Sequence, residues 1–172
     1  MNHTLTVLPL TAERFAPFGD VIETSIEHKQ AMNSSKFERY SDLAQVNIGP
    51  DTGGRPSVSI ARCRTATELP YRLDMLERHP LGSQAFMPLT RFPFIVVVAP
   101  AAEDVEVDEI IAFVTNGRQG INYHQGVWHM PMVSMQREQE FLIIDRAIEG
   151  EEGEESDNCD EHYLSDPILI DS

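Results

Sequence analysis

The sequence predicts an all-β protein, a sandwich or a barrel, on three observations. Residues 57–64 alternate, with Val58, Ile60, Arg62 and Arg64 on one face and Ser59, Ala61 and Cys63 on the other, the period of two that marks a strand. Residues 94–99 read Phe-Ile-Val-Val-Val-Ala without a break, as expected of a strand covered on both faces. Further short apolar runs at 110–115, 120–128 and 141–145 are separated by Gly, Pro and Asn, and many short strands at near-regular spacing build sandwiches and barrels.

The remaining elements follow in chain order. Residues 5–8, 20–23 and 43–48 are weaker strand candidates. Residues 11–18 suit one short helix, with Thr11 as its N-cap and Gly19 as its stop. Residues 73–79 read as a strand that places Leu73, Met75, Glu77 and His79 on one face and Asp74, Leu76 and Arg78 on the other. Pro80-Leu81-Gly82 then turns the chain, and Gln84 and Phe86 share a face on the next segment. Asn116-Gly117 is a turn signal.

At 172 residues the chain is long enough for one well-buried domain. The expected division is a single barrel domain over 1–148 and an acidic, flexible segment over 149–172. Within the second part Pro167-Ile168-Leu169-Ile170 is apolar enough to dock on the body or on another subunit.

Thirteen basic residues against 28 acidic give a net charge of −15. That balance disfavours nucleic acid, whose phosphates need clustered Lys and Arg. Eight of the acids fall between Glu149 and Glu161, so a small anionic substrate stays compatible with the rest. No apolar run approaches the roughly 18 residues of a membrane span, and no basic region followed by an apolar core opens the chain. A cytoplasmic protein without membrane contact is therefore expected, with Cys63 and Cys159 as free thiols remote from thiol chemistry.

Candidate chemistry gathers in two stretches. One runs Glu77-Arg78-His79-Pro80-Leu81-Gly82-Ser83-Gln84, and the other runs Gly120-Ile121-Asn122-Tyr123-His124 to Val127-Trp128-His129. Imidazoles from distant strands with a carboxylate and an amide nearby suit Zn, Fe, Ni, Cu or Mn in a mixed nitrogen and oxygen site. The alternative is a set of hydrogen-bonded core histidines. Asn122 and His124 share a face, and His79, His124 and His129 are expected to gather at one pocket. His3, His28 and His162 lie in terminal or polar segments and read as surface residues. Arg62, beside Val58 and Ile60, either turns inward to hold a carboxylate, or snorkels out at the strand end, or pairs with an internal Asp or Glu; Arg146 reads the same way.

These motifs resemble the paired metal-site motifs of the cupin superfamily. The first cupin motif reads H-x-H-(x3–4)-E, and Glu77-x-His79-(x4)-Gln84 stands at that spacing with Glu and Gln substituted; Gly120 to His124 fits the second. More narrowly, the chain resembles the ureidoglycolate lyase family. That likeness rests on Phe18-Gly19-Asp20-Val21-Ile22-Glu23, Glu38-Arg39-Tyr40, Leu76 to Phe86, Phe113 to Gly117, Gly120 to His124, Val127-Trp128-His129 and Ser156-Asp157-Asn158-Cys159-Asp160.

The resemblance implies an all-β double-stranded β-helix, a jelly-roll barrel with one or two short helices, assembled as a homodimer. It also implies a carbon–nitrogen lyase that cleaves (S)-ureidoglycolate to glyoxylate and urea in allantoin and purine breakdown. A divalent metal, Ni2+ among those implied, accompanies it, with no organic cofactor. On this reading His79, His124, Gln84 and Glu77 bind metal, and Arg62, Asn122 and Gln84 bind substrate. Glu77 is a ligand or the base, His129 the proton donor and Tyr123 the second choice. Other metal-dependent cupins, an isomerase or a dioxygenase, and a non-catalytic carboxylate-binding cupin are the alternatives.

Overall fold

The computed structural model describes residues 4–25, 27, 29–149 and 158–171. Its strands are β1 (Thr4–Thr6), β2 (Leu8–Pro9), β3 (Gly19–Ile22), β4 (Lys29–Met32), β5 (Phe37–Tyr40), β6 (Arg55–Arg62) and β7 (Tyr71–Arg78). There follow β8 (Gln84–Pro88), β9 (Ile95–Ala99), β10 (Ile111–Val114), β11 (Gly120–Tyr123), β12 (Trp128–His129), β13 (Glu140–Ala147) and β14 (Asp160–Asp171). Among the described residues one α-helix forms, α1, over Ala12–Phe15. Thr11 caps it as expected, its side chain accepting from the Arg14 amide.

Two sheets face each other as a nearly closed β-barrel of the cupin kind. One has the order β1-β14-β7-β12-β9-β10-β2, the other β3-β11-β8-β13-β6, and β4–β5 forms a separate hairpin. Between the sheets Phe94, Val96, Val98 and Phe113 meet Phe86, Ile121 and Phe141. The Phe94 and Phe141 rings cross edge to face at 5.0 Å, a favoured aromatic geometry. On the other side of the larger sheet Ile95, Val97 and Ala99 pack with Leu76, Trp128, Ile168 and Ile170. β9 is thus buried on both faces, as its unbroken apolar run predicts.

Several expectations are corrected. Alternation in β6 is real, but Val58 and Ile60 are 68% and 63% exposed, so their face points outward. Ala61 faces in because its partner on β13, Phe141, is buried; alternation groups residues by face but does not say which face is inside. Residues 43–48 make no strand, because their backbone is satisfied elsewhere. The Gln45 amide donates to Asp20 at 2.8 Å, and Asn47 exchanges bonds with Ser83. Residues 120–128 are not one strand but two, β11 in one sheet and β12 in the other, divided by a turn at Gly126 with φ of +78°.

Leu73 leaves the face of Met75 and joins Leu76 in the outer cluster. Opposite it β14 shifts register between Tyr163 and Ile168, where Pro167 has no amide to give the ladder. The segment over 149–172, expected as flexible, is for Asp160–Asp171 a strand between β1 and β7. Its apolar residues Ile168 and Ile170 dock on the body, fully buried. The acidic stretch 150–157 lies outside the described residues, as do His3 and His28; His162 packs edge-on to Trp128.

Candidate active site

Strand period and sheet crossing together assemble the site. β7 turns Met75 and Glu77 into the barrel, and His79 follows just past its end; all three line one cavity of about 520 Å3. The turn after His79 brings Gln84, at the start of β8, onto the same wall. β12 sets His129 directly opposite Glu77 across the ladder. The His79 and His129 rings stand 5.2 Å apart. Tyr123, the last residue of β11, stacks on His129 at 4.1 Å with 12° between the planes.

The hydrogen bonds fix what each atom offers. Buried His129 places Nδ1 3.0 Å from the Val127 carbonyl, which can only accept, so Nδ1 carries the proton. Burial holds this imidazole below its ordinary pKa, against the pull of Glu77, and the ring is neutral. Its Nε2 is therefore a lone pair, buried and without a hydrogen-bond partner, facing Glu77 Oε1 at 3.6 Å, longer than a hydrogen bond.

Burial works to raise the Glu77 carboxyl, but a proton taken up by His129 beside it, and the field of His79, outweigh that, and its pKa lies below the usual value. His79 is also held through Nδ1 by a backbone carbonyl. Its Nδ1 donates to the Asn158 carbonyl at 2.8 Å, and its Nε2 meets the oxygen of Gln84 at 3.1 Å. Gln84 is oriented by Asp145, which accepts from its NH2 group at 3.3 Å.

Glu77 Oε1, the Nε2 atoms of His79 and His129 and the Gln84 oxygen thus converge, and the Glu77 oxygen, the His129 Nε2 and the Gln84 oxygen can only accept. Opposed acceptors are costly when buried, and a cation between them removes the conflict. Glu77, His79 and His129 hold their ligand atoms within 4.8 Å of one another. Each imidazole is held through Nδ1–H by a backbone carbonyl, as metal-bound histidines are. The donor set fits a metal ion.

Other expected residues lie elsewhere. His124 donates from Nε2 to Asp20 at 3.0 Å, beside Asn122, whose amide donates to the same oxygen at 2.9 Å. Both turn to the face of β11 opposite Tyr123, so the three imidazoles do not gather and only His79 and His129 do. Arg62 pairs with Glu140 on the exposed face of β6, outside the cavity. Arg146 is the guanidinium on the cavity wall, where one amino group donates to the Thr52 carbonyl at 3.0 Å.

Asp145, Asn158, Cys159 and Glu161 complete the wall, and sequence reasoning gave none of them a role. The Cys159 thiol is pushed up to about 11 by burial first, then by Glu77 and Glu161, which keeps it protonated and inert.

A family model described as ureidoglycolate lyase matches residues 2–171. The chain belongs to the ureidoglycolate lyase family. Among family members, the protein named ureidoglycolate lyase from Burkholderia mallei (strain NCTC 10229) is 46% identical over 97% of this chain and 96% of its own length. That of Pseudomonas aeruginosa PAO1 is 47% identical over 98% and 96%, and that of Pseudomonas fluorescens Pf0-1 is 48% identical over 95% and 93%. Family likeness therefore covers the strands that carry Glu77, His79, Gln84 and His129 as well as the β14 wall.

Proposed function

We propose that this enzyme is a ureidoglycolate lyase, which cleaves ureidoglycolate, in the (S) form, to glyoxylate and urea. The observation that carries the reading is end-to-end identity of 45–48% to proteins of that name. The chemistry of the cavity agrees with it.

The reaction removes the hydroxyl proton, forms C=O, breaks the C–N bond and returns a proton to the departing nitrogen. It consumes no water and leaves no net proton. A divalent metal such as Ni2+, held by His79, His129 and Glu77 with Gln84 alongside, supplies a Lewis acid that makes such a hydroxyl more acidic.

The chain's own groups do the rest. Glu77 is ionised and has two oxygens with different surroundings, Oε1 toward His129 and Oε2 3.9 Å from Cys159 on the cavity wall. Oε2 accepts the hydroxyl proton and hands it to the urea nitrogen, so one carboxylate serves as base and then acid. His129 has no proton at Nε2 to give, which makes it a ligand or acceptor rather than the donor. Arg146 holds the substrate carboxylate, the role first read for Arg62. Asp145 and Glu161 accept from the urea N–H groups. Tyr123, whose burial lifts its phenol far above the ordinary value, stays protonated and keeps the His129 ring in place.

A homodimer fits the exposed Val58 and Ile60 on β6, the edge strand of its sheet. Free thiols at Cys63 and Cys159 suit a reducing cytoplasm. The test is purified protein with racemic ureidoglycolate, with and without chelator, following glyoxylate, urea and ammonia together. Equimolar glyoxylate and urea from one enantiomer is the expected result. Ammonia release, or no turnover with Ni2+ restored, overturns it.

A further inference from the structure

The stretch Ser156-Asp157-Asn158-Cys159-Asp160 has no assigned role in the chemistry above, yet Asn158 holds the start of the turn between His79 and Gln84 at two points. Its backbone carbonyl accepts from His79 Nδ1 at 2.8 Å, and its side-chain oxygen accepts from the Leu81 amide at 2.6 Å. The residue is 8% exposed. Two residues on, Asp160 pairs with Arg78 in the ladder and accepts from its guanidinium at 2.8 Å, which fixes where Asn158 must lie. From the other side the Gly126 amide donates to the His79 carbonyl at 2.9 Å.

We propose that Asn158 is a positioning residue for the metal-ligand pair His79 and Gln84, acting through the imidazole tautomer. A carbonyl at Nδ1 keeps a proton there and makes Nε2 the ring atom that faces Gln84 and the cavity. The carbonyl can do this only while the side-chain bond to Leu81 holds its peptide against the turn. Residues 79 positions apart thus jointly set one ligand atom. The inference rests on the metal reading of the pocket for its consequence but not for its geometry.

Two measurements on the full chain test it: calorimetric titration with Ni2+ alone, and the 15N shifts of the His79 ring in metal-free protein. Asn158→Leu, close in size but without the acceptor, should weaken Ni2+ binding about 10–100-fold and mix the His79 tautomers. Asn158→Ala serves the same comparison if the leucine variant fails to fold. Asn158→Asp keeps the acceptor and should keep the Nδ1–H tautomer. Leu164→Ala, which loosens β14 without touching Asn158, should lower Tm and leave the tautomer unchanged.

An Asn158→Leu variant with wild-type Ni2+ affinity and an unmixed Nδ1–H ring overturns the proposal, as does tautomer mixing in Leu164→Ala. Should the wild type take up no Ni2+, the metal reading fails, and the tautomer comparison alone decides for or against Asn158.

Discussion

β11 separates two clusters of the same residue types, and they are physically opposite. On one face Asp20 accepts from Asn122, from the Gln45 amide and from His124. Donors there match the acceptor; burial raises the Asp20 pKa, but these bonds more than offset it and hold it below the ordinary value. On the other face Tyr123 leads to Glu77, His79, Gln84 and His129, where the Glu77 oxygen faces the bare Nε2 of His129. A histidine, a carboxylate and an amide make a structural knot in the first case and a set of acceptors that fits a cation in the second. The balance of protons, rather than the residue list, tells them apart.

The largest effects should fall on the acceptor-rich face. Glu77→Gln should lower kcat by about 10²–10⁴-fold with the circular dichroism spectrum unchanged; wild-type turnover in a folded variant would remove Glu77 as the proton carrier. His79→Ala should abolish Ni2+ uptake measured by metal analysis, and chelator should remove activity that added Ni2+ restores.

Acid should separate the clusters next. His129 is depressed in the fold, so below its unfolded value near 6.5 the unfolded chain takes up a proton that the folded chain refuses. Stability from this group is complete above that pH and falls as pH drops below it. Tm measured from pH 7 to 5 should decline, and less steeply in His129→Gln; equal slopes would mean the ring is not held neutral.

A smaller effect is expected at the matched cluster. His124→Ala should cost about 0.5–1.5 kcal/mol in denaturant unfolding and leave kcat near wild type, where abolished turnover would return His124 to the site. The slightest effect on the pocket should come from Ile60→Asp on β6, which should turn the proposed dimer into a monomer in sedimentation and leave Ni2+ binding alone.

Much of this was legible in the chain. Alternation and the unbroken run of 94–99 gave the β class, and the pairing of Glu77 with His79 followed from a period of two. His124 was misplaced because 120–128 reads as one strand, whereas the turn at Gly126 moves His129 to the other sheet. Arg62 was misplaced because β6 is an edge strand, and its partner Phe141 decides which face is inside. Asn158 and Cys159 carried no local signal. They reach the pocket only because β14 pairs with β7, a contact spanning some eighty positions that no local pattern encodes.

Trp128 stands one residue from His129, with its indole donating to the Ala102 carbonyl at 3.0 Å and the Arg78 guanidinium 4.5 Å from its ring. It is the only tryptophan in the sequence. Tryptophan emission from this protein therefore comes from a single lamp, next to His129 in the chain. Loading of the centre by an open-shell ion such as Ni2+ should dim that lamp, and a fluorimeter can follow occupancy without label or coupled assay.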